Sequence, residues 1–451
     1  MKRYTNILML LILIIPGKSL FAQETWSLQQ CINYALENNI QIKQQSVAVD
    51  YQENQLDQAR YDRLPNLNGQ LANNYNFGRS LTYQNTYENT NSTSLSGYLG
   101  TEVTLWNGFT LQNVIRQREL DLKATLQDMQ KAKDDLVLGI AAMYMEILFA
   151  EELNLIDQNQ VDVTRQQIEK TKQLVEAGRV ARGNLLEIEA QLANEELQVV
   201  NSQNRIQLAY LNLYQLLELP MAQSFKVEKP LIPDLNTTPV NYNSLEIFRN
   251  AIQTRPEILA SQLRVESAHS QLEQAKGAQF PRLTFGANYY NNYNDNYFRA
   301  IDNDPAKSEV IPLKDQLTNN KRYGFGLTLN IPIFNRLQVR TGISNAQLQI
   351  SDYEFRLQTA RNTLQKEIEQ AYTNAVAALK RYVSSEKAVD SSEEAFRYTE
   401  EKFNVGMVTT VEYNQIKNNL TAARSQLLQA RYEYIFRTKI LDFYNGVPIT
   451  L

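Results

Sequence analysis

Histidine and cysteine are each present once in 451 residues, as His269 and Cys31. A single cysteine excludes an intrachain disulfide, and without a cysteine–histidine cluster there is no metal site of the usual kind. Neither a glycine-rich phosphate loop nor a nucleophile elbow occurs, so an enzyme reading has no residues to stand on and no nucleotide can be bound by a known motif. His269 shares a helical face with Glu266 and Glu273, a spacing that fits a solvated face better than a metal site. The net charge of -4 supplies no basic surface for nucleic acid. Beyond residue 22 no stretch approaches the length of apolar sequence that a membrane helix needs, so a membrane crossing by this chain has to be made with strands.

Proline is also missing where it matters. Its 12 copies leave two gaps, Pro65 to Pro220 and Pro332 to Pro448. A proline inside a helix costs about 3 kcal/mol, so these gaps permit very long helices. Within the first of them, the stretch from Thr110 to Ala177 holds a single glycine, Gly139, whose cost of about 1 kcal/mol a long helix can absorb. At 1.5 Å per residue, rods over 110–177 and 337–404 would each reach on the order of 100 Å.

What the chain does contain, it contains twice. Gln55-Leu56-Asp57-Gln58-Ala59-Arg60 is answered by Gln271-Leu272-Glu273-Gln274-Ala275-Lys276, and Gly178-Arg179-Val180 by Gly406-Met407-Val408. The expected plan is a signal peptide over 1–22, with Lys2 and Arg3 ahead of the apolar run Ile7 to Ile15 and a mature start near Gln23. A first repeat over 23–219 and a second over 244–451 follow, with a proline-punctuated linker or equatorial region at 220–243. Cys31 lies too far past the apolar run, behind bulky Gln29 and Gln30, for a lipid-anchor signal, and reads as a helix cysteine.

Each repeat pairs two strands with one long helix. Strands are expected at 66–78, 94–106, 282–293 and 322–333, and all four alternate with period two. Leu71, Tyr75, Leu99, Val103, Phe285, Tyr289, Phe325 and Leu327 fall on one face, with amide, small and charged residues on the other. The length and alternation match outer-membrane strands, although a half-buried sheet in water alternates in the same way. Aromatic residues gather at strand ends, where Tyr75, Phe77, Trp106, Tyr289, Tyr323 and Phe334 suit membrane anchors. The second rod has a seam at intervals of three and four running from Ala346 through Ile350, Leu364, Ile368 and Ala375 to Tyr382, which is coiled-coil spacing. Shorter amphipathic helices are expected at Leu28 to Asp62, Gly183 to Leu219, Ser244 to Gln279 and Thr410 to Tyr444, with Ser27 and Ser244 as N-caps. The connections Arg79 to Thr93 and Asn294 to Lys321 read as polar loops on one side. Four strands cannot close, and open edges are not tolerated in lipid, so the chain has to oligomerise.

This duplicated order resembles the TolC-like outer-membrane efflux proteins. The residues that carry the resemblance are Leu28 to Asn39 and its echo Ala251 to Ile258, the two Gln-Leu-acidic-Gln-Ala segments, Leu105-Trp106-Asn107-Gly108, Ile331-Pro332-Ile333-Phe334-Asn335 and Asn404-Val405-Gly406. The resemblance implies a mainly α chain with transmembrane β-strands, in a homotrimer whose strands form one 12-stranded barrel in outer-membrane lipid, continued by a periplasmic α-barrel. It implies a passive exit duct for a tripartite efflux pump or type I secretion, energised by an inner-membrane transporter through a periplasmic adaptor, with no cofactor or metal. The tips Gly178, Arg179, Val180, Gly406, Met407 and Val408 would meet the adaptor. The family's two acidic entrance positions fall on Glu412 and Gln415, so this chain keeps one of the two charges. A pore-less periplasmic coiled-coil adaptor or scaffold would explain the rods and their seam but not the four strands.

Overall fold

The structure, a computed structural model, describes residues 25–81, 85–89, 91–219, 225–230, 243–301 and 304–450. The expected signal peptide and most of the 220–243 linker lie outside these residues. The first repeat runs β1 (Thr25–Trp26), α1 (Leu28–Asn38), α2 (Ile40–Tyr61), β2 (Asn68–Asn76), β3 (Arg79–Leu81), β4 (Tyr87–Asn89), β5 (Ser92–Trp106), α3 (Thr110–Glu176) and α4 (Arg182–Leu217). After β6 (Lys226–Val227), the second runs α5 (Ser244–Thr254), α6 (Pro256–Gly277), β7 (Arg282–Asn294), β8 (Phe298–Ile301), β9 (Asp304–Val310), α7 (Leu313–Asn319), β10 (Arg322–Asn330), α8 (Gln338–Asn404) and α9 (Thr410–Tyr444).

The duplication is metric as well as sequential. Helices α1 and α5 have 11 residues each, α2 and α6 have 22, and α3 and α8 have 67. Both rods and all four main strands lie within a few residues of their expected bounds. The α8 seam is buried at Leu364, Ile368, Ala375 and Ala378.

Three expectations need correction. The helices expected at Leu28 to Asp62 and Ser244 to Gln279 are each two helices, broken at Asn39 and Arg255, whose backbones are extended. Pro256 explains the second break, because the residue before a proline is pushed out of the helical region. At the first break, the Asn39 side chain accepts from the N–H of Gln41 (2.9 Å) and Ile42 (3.3 Å), and its amide donates to the Leu216 carbonyl at 3.0 Å. Ser27 caps α1 in a reciprocal box with Gln30, but the cap of α5 is Asn243 and not Ser244. The connections expected as loops carry structure: β3 pairs with β4, β8 pairs with β9, and α7 follows.

The chain divides into two compact units. One takes the residues up to Gln44 with Gln130–Arg255 and from Thr363 onward. Its core holds Cys31, Ala35, Ile140, Ile147, Leu213 and Leu217, all without exposed surface. Burial there pushes the Cys31 thiol up to about 12. Strand β1 pairs in parallel with β6, Trp26 opposite Val227, so part of the expected linker returns to the N-terminal segment. The Tyr144 hydroxyl donates to the Glu228 carbonyl at 2.5 Å and lies 3.1 Å from that of Trp26, tying this strand pair to α3.

The other unit takes Gln45–Met129 and Pro256–Asn362. It contains an antiparallel four-stranded sheet in the order β10-β7-β5-β2. Within it α6 is held to the start of α3 by an Arg264–Asp128 ion pair, by Ser267 donating to Asp121 at 2.5 Å, and by Gln274 donating to Gln117 at 2.7 Å. Gly108 and Phe109 turn the chain into α3 with φ of 65° and 63°, and Arg336 and Leu337 do the same before α8 with 55° and 63°. A Cβ on Gly108 would collide with the Gly277 carbonyl oxygen, so only glycine fits the first turn.

Candidate functional site

The register of the sheet sorts its side chains onto two faces. Leu99 lies opposite Tyr289, which lies opposite Tyr323, and Val103, Phe285 and Leu327 form a second such row. Leu71, Tyr75 and Leu95 share this face through the β2–β5 ladder. Their side chains are open: Leu71 and Phe325 each keep 85% of their surface exposed. A half-buried sheet in water would cover this face with a core. No core does so among the described residues: α7 meets this face at its loop end, where Asn291 donates to the Leu317 carbonyl at 2.8 Å, and the four strands place no charged residue on it.

The opposite face is built from Asn68, Gln70, Asn288, Thr284, Thr328 and several glycines, and bears every charge of the four strands: Glu102, Arg282 and Arg322. Arg282 lies 3.6 Å from Glu102 and donates to Thr104 at 3.1 Å. Strands β2 and β10 are the edges of this sheet, each hydrogen-bonded to one neighbour.

Of the aromatic residues expected at strand ends, Tyr75, Tyr289 and Tyr323 lie on the apolar face by register, while Phe77 and Phe334 lie beyond the paired strands. Tyr75, Phe77 and Phe334 are exposed, and Tyr289 packs on Tyr323 with ring centroids 5.2 Å apart. By simple alternation Trp106 would fall on the polar face. A bulge between Thr104 and Trp106 sets Trp106 opposite Leu283 on the apolar side, where it packs edge-on to Phe280 at 6.0 Å.

In the helical unit the two tips have one geometry. Gly178 (φ 68°) and Gly406 (φ 77°) close α3 and α8 in the left-handed region. At each, the glycine N–H bonds back three residues and the next N–H bonds back five: Gly178 to Val175 and Arg179 to Leu174, Gly406 to Phe403 and Met407 to Lys402. These are Schellman ends. Lys170 donates to Asn404 at 2.6 Å, which holds the two tips beside each other. Arg179 and Met407 are exposed, with Val180 and Val408 half-buried. Met407 is 75% exposed and Val405 70%, leaving an apolar point at the second tip.

Glu412 occupies the third position of α9, its N–H donating to the cap residue Thr409 at 3.2 Å. Gln415 donates to Asn419 at 3.1 Å. Glu412, Gln415 and Asn419 share an exposed stripe of α9. The first tip differs: its cap position is Ala181, with no side-chain bond, and Asn184 stands where the second tip has Glu412. Tyr413 is clamped between Phe403 (4.5 Å) and Phe396 (5.6 Å). Burial, followed by the nearby Glu400, pushes its hydroxyl up to about 12. His269 is exposed on α6, and Glu273 is paired with Lys276 at 2.7 Å.

Sequence reasoning missed a buried polar cluster between the hairpins. Lys417 of α9 and Glu195 of α4 are 5% and 7% exposed and lie 3.5 Å apart. Thr164 of α3 bonds both. Gln160 and Gln191 donate to the same carboxylate at 3.0 and 2.9 Å, and Thr421 donates to Gln160 at 2.9 Å. Burial lowers the Lys417 amine from its ordinary range, and Glu195 partly offsets this. Spacing gives no sign of such a cluster, because polar residues at these intervals also describe a solvated face.

A sheet with an uncovered apolar face, an amide-lined opposite face and two unpaired edges, in a chain that also forms long helical hairpins, is the arrangement of an outer-membrane channel. The sequence model of the outer membrane efflux protein family matches residues 31–218 and 247–442, and the chain belongs to that family. It is 24% identical over 426 residues to outer membrane protein TolC of Escherichia coli (strain K12), covering 91% of this chain and 80% of that protein. It is also 24% identical over 374 residues to toxin and drug export protein A of Aggregatibacter actinomycetemcomitans, covering 79% and 74%. The crystal structure of the outer membrane protein VceC from Vibrio cholerae has the same fold, with a TM-score of 0.77 at 16% identity over 94% of this chain and 97% of that one. The protein is an efflux channel of the outer membrane. Its family is one of channels and not of enzymes.

Proposed function

We propose that three copies of this chain close one barrel and act as the passive exit duct of a tripartite pump or a type I secretion system. Three sheets of four strands make twelve, above the minimum of about eight for a membrane barrel. The observation that carries this reading is the sheet with an uncovered apolar face, a polar face and two free edges. The sheet also weighs against a pore-less periplasmic scaffold, for which an open apolar face of this size would be an aggregation hazard.

With no nucleotide motif of its own, the duct takes its energy from an inner-membrane transporter. A periplasmic adaptor links the two by docking on the tips, where Val405, Met407 and Val411 offer exposed apolar side chains and Arg179 an exposed charge. Glu412 of each copy lies at the entrance, where a ring of three carboxylates favours cations. Membrane fractionation followed by planar-bilayer recording tests the reading: the protein is expected with outer membranes and to conduct ions. A soluble, non-conducting protein would overturn it.

A further inference from the structure

The polar face of the sheet carries an imbalance of charge, and it sits at one end. Of its three charged residues, Glu102 and Arg282 face each other at 3.6 Å and largely cancel. Arg322 has no carboxylate within ion-pair distance among the described residues and is exposed. It opens β10, at the end of the sheet that bears the β3–β4 and β8–β9 hairpins and α7.

The register gives Arg322 defined neighbours. Arg322 lies opposite Tyr290, Tyr290 opposite Tyr98, and Tyr98 opposite Gln70, so one row across all four strands reads Gln70, Tyr98, Tyr290, Arg322 on the polar face. The next row inward is Asn68, Gly100, Asn288, Gly324, and the one after it holds Glu102, Gly286 and Gly326. The wall therefore steps from bulky to small immediately below Arg322. The Tyr98 ring lies back over Gly100, and the Asn288 side chain over Gly324. Arg322 thus stands at the end of a tyrosine row, and the uncovered glycine of β10, Gly326, lies two rows further in.

We propose that Arg322 is a specificity-determining residue of the channel, lining the loop end of the barrel lumen and favouring anionic solutes. The inference rests on the trimeric-barrel reading, under which three copies give one ring of three uncompensated positive charges. An arginine stays charged at every pH the protein meets. The ring has no opposing carboxylate at its level, and it works against the Glu412 carboxylates, which belong to the other unit. Net selectivity is the balance of the two, so single-residue changes and not the sign of the wild-type value report on Arg322.

The test is the reversal potential of the full-length protein in planar bilayers under a potassium chloride gradient. Arg322→Gln should lower the chloride-to-potassium permeability ratio on the order of twofold at about 0.1 M salt, and more at about 0.01 M, where the Debye length is roughly 30 Å. Arg322→Glu should lower it further, and Arg322→Lys should restore the wild-type ratio. Lys314→Gln, which removes an exposed charge of α7, should leave the ratio unchanged. Conducting Arg322 variants with the wild-type ratio would overturn the proposal while leaving the channel reading intact, as would an equal shift in the Lys314 variant. A wild-type protein that does not conduct would remove the barrel reading and this proposal with it.

Discussion

Lys417 and Glu195 are the two charges that this chain buries near its tips, and their energetics are lopsided. Removing one partner leaves the other charge desolvated and unpaired, at a cost of about 3–5 kcal/mol, whereas replacing both with apolar residues of similar size is often neutral or stabilising. Glu195→Leu alone should therefore lower the thermal midpoint in detergent sharply, and Glu195→Leu with Lys417→Met should recover most of it. Equal loss in single and double variants would show that the cluster contributes net stability. The pH dependence has a defined sign. Because Lys417 is lowered in the folded protein, the unfolded chain binds more protons between that value and the ordinary lysine range, and stability from this group rises with pH there. Tyr413, at about 12, acts in the opposite sense, together with Tyr144, Tyr210 and Tyr432, which burial raises further. Unfolded tyrosines ionise first, so stability falls as pH rises past about 10. Denaturant midpoints followed by circular dichroism should show the rise and then the fall, with the rise missing in Lys417→Met. At the entrance, Glu412→Ala should reduce cation preference in single-channel recordings. Unchanged selectivity would leave Glu412 with only its place in the first turn of α9.

At the scale of elements, the repeat was legible because its signals are local. Proline-free gaps, period-two strands and a glycine at each tip can be read one window at a time, and the rods and strands fall close to their expected bounds. The two broken helices were not legible to the same degree. Pro256 marks one break openly, but the hydrophobic pattern continues across it and reads as a single helix. Asn39 marks the other only through a side chain that reaches α4. The Trp106 bulge and the Lys417 cluster were missed for a related reason, since both depend on which strand or helix lies opposite. Asn39 is the residue on which the first break depends: its carboxamide supplies the N-terminal cap of α2 and satisfies the Leu216 carbonyl. Asn39→Ala should cost about 1–2 kcal/mol, and Asn39→Asp should recover the cap but not the bond to Leu216. Thermal melts of the three proteins resolve the two contributions. A melt unchanged in Asn39→Ala would mean that packing alone sets the break.

At the scale of the whole molecule, one chain is incomplete, and its sheet specifies how it is completed. Neighbouring strands in the order β10-β7-β5-β2 are antiparallel throughout, so the two edges β10 and β2 run in opposite directions. The β2 of one copy can then join the β10 of the next without breaking the alternation. This is a head-to-tail contact, and such contacts form a ring only if the rotation closes. Paired strands lie about 4.8 Å apart, within the reach of a disulfide. Cys31 has no exposed surface and leaves introduced thiols without background. Ala72→Cys on the polar face of β2, combined in turn with Gly324→Cys, Gly326→Cys and Thr328→Cys on the same face of β10, should give one pair that oxidises readily. Its product on a non-reducing gel should include a species of three chains, and reduction should return the single chain. Crosslinking that stops at two chains would exclude a closed ring of three, and a conducting protein that crosslinks at none of the three pairs would exclude closure through these edges.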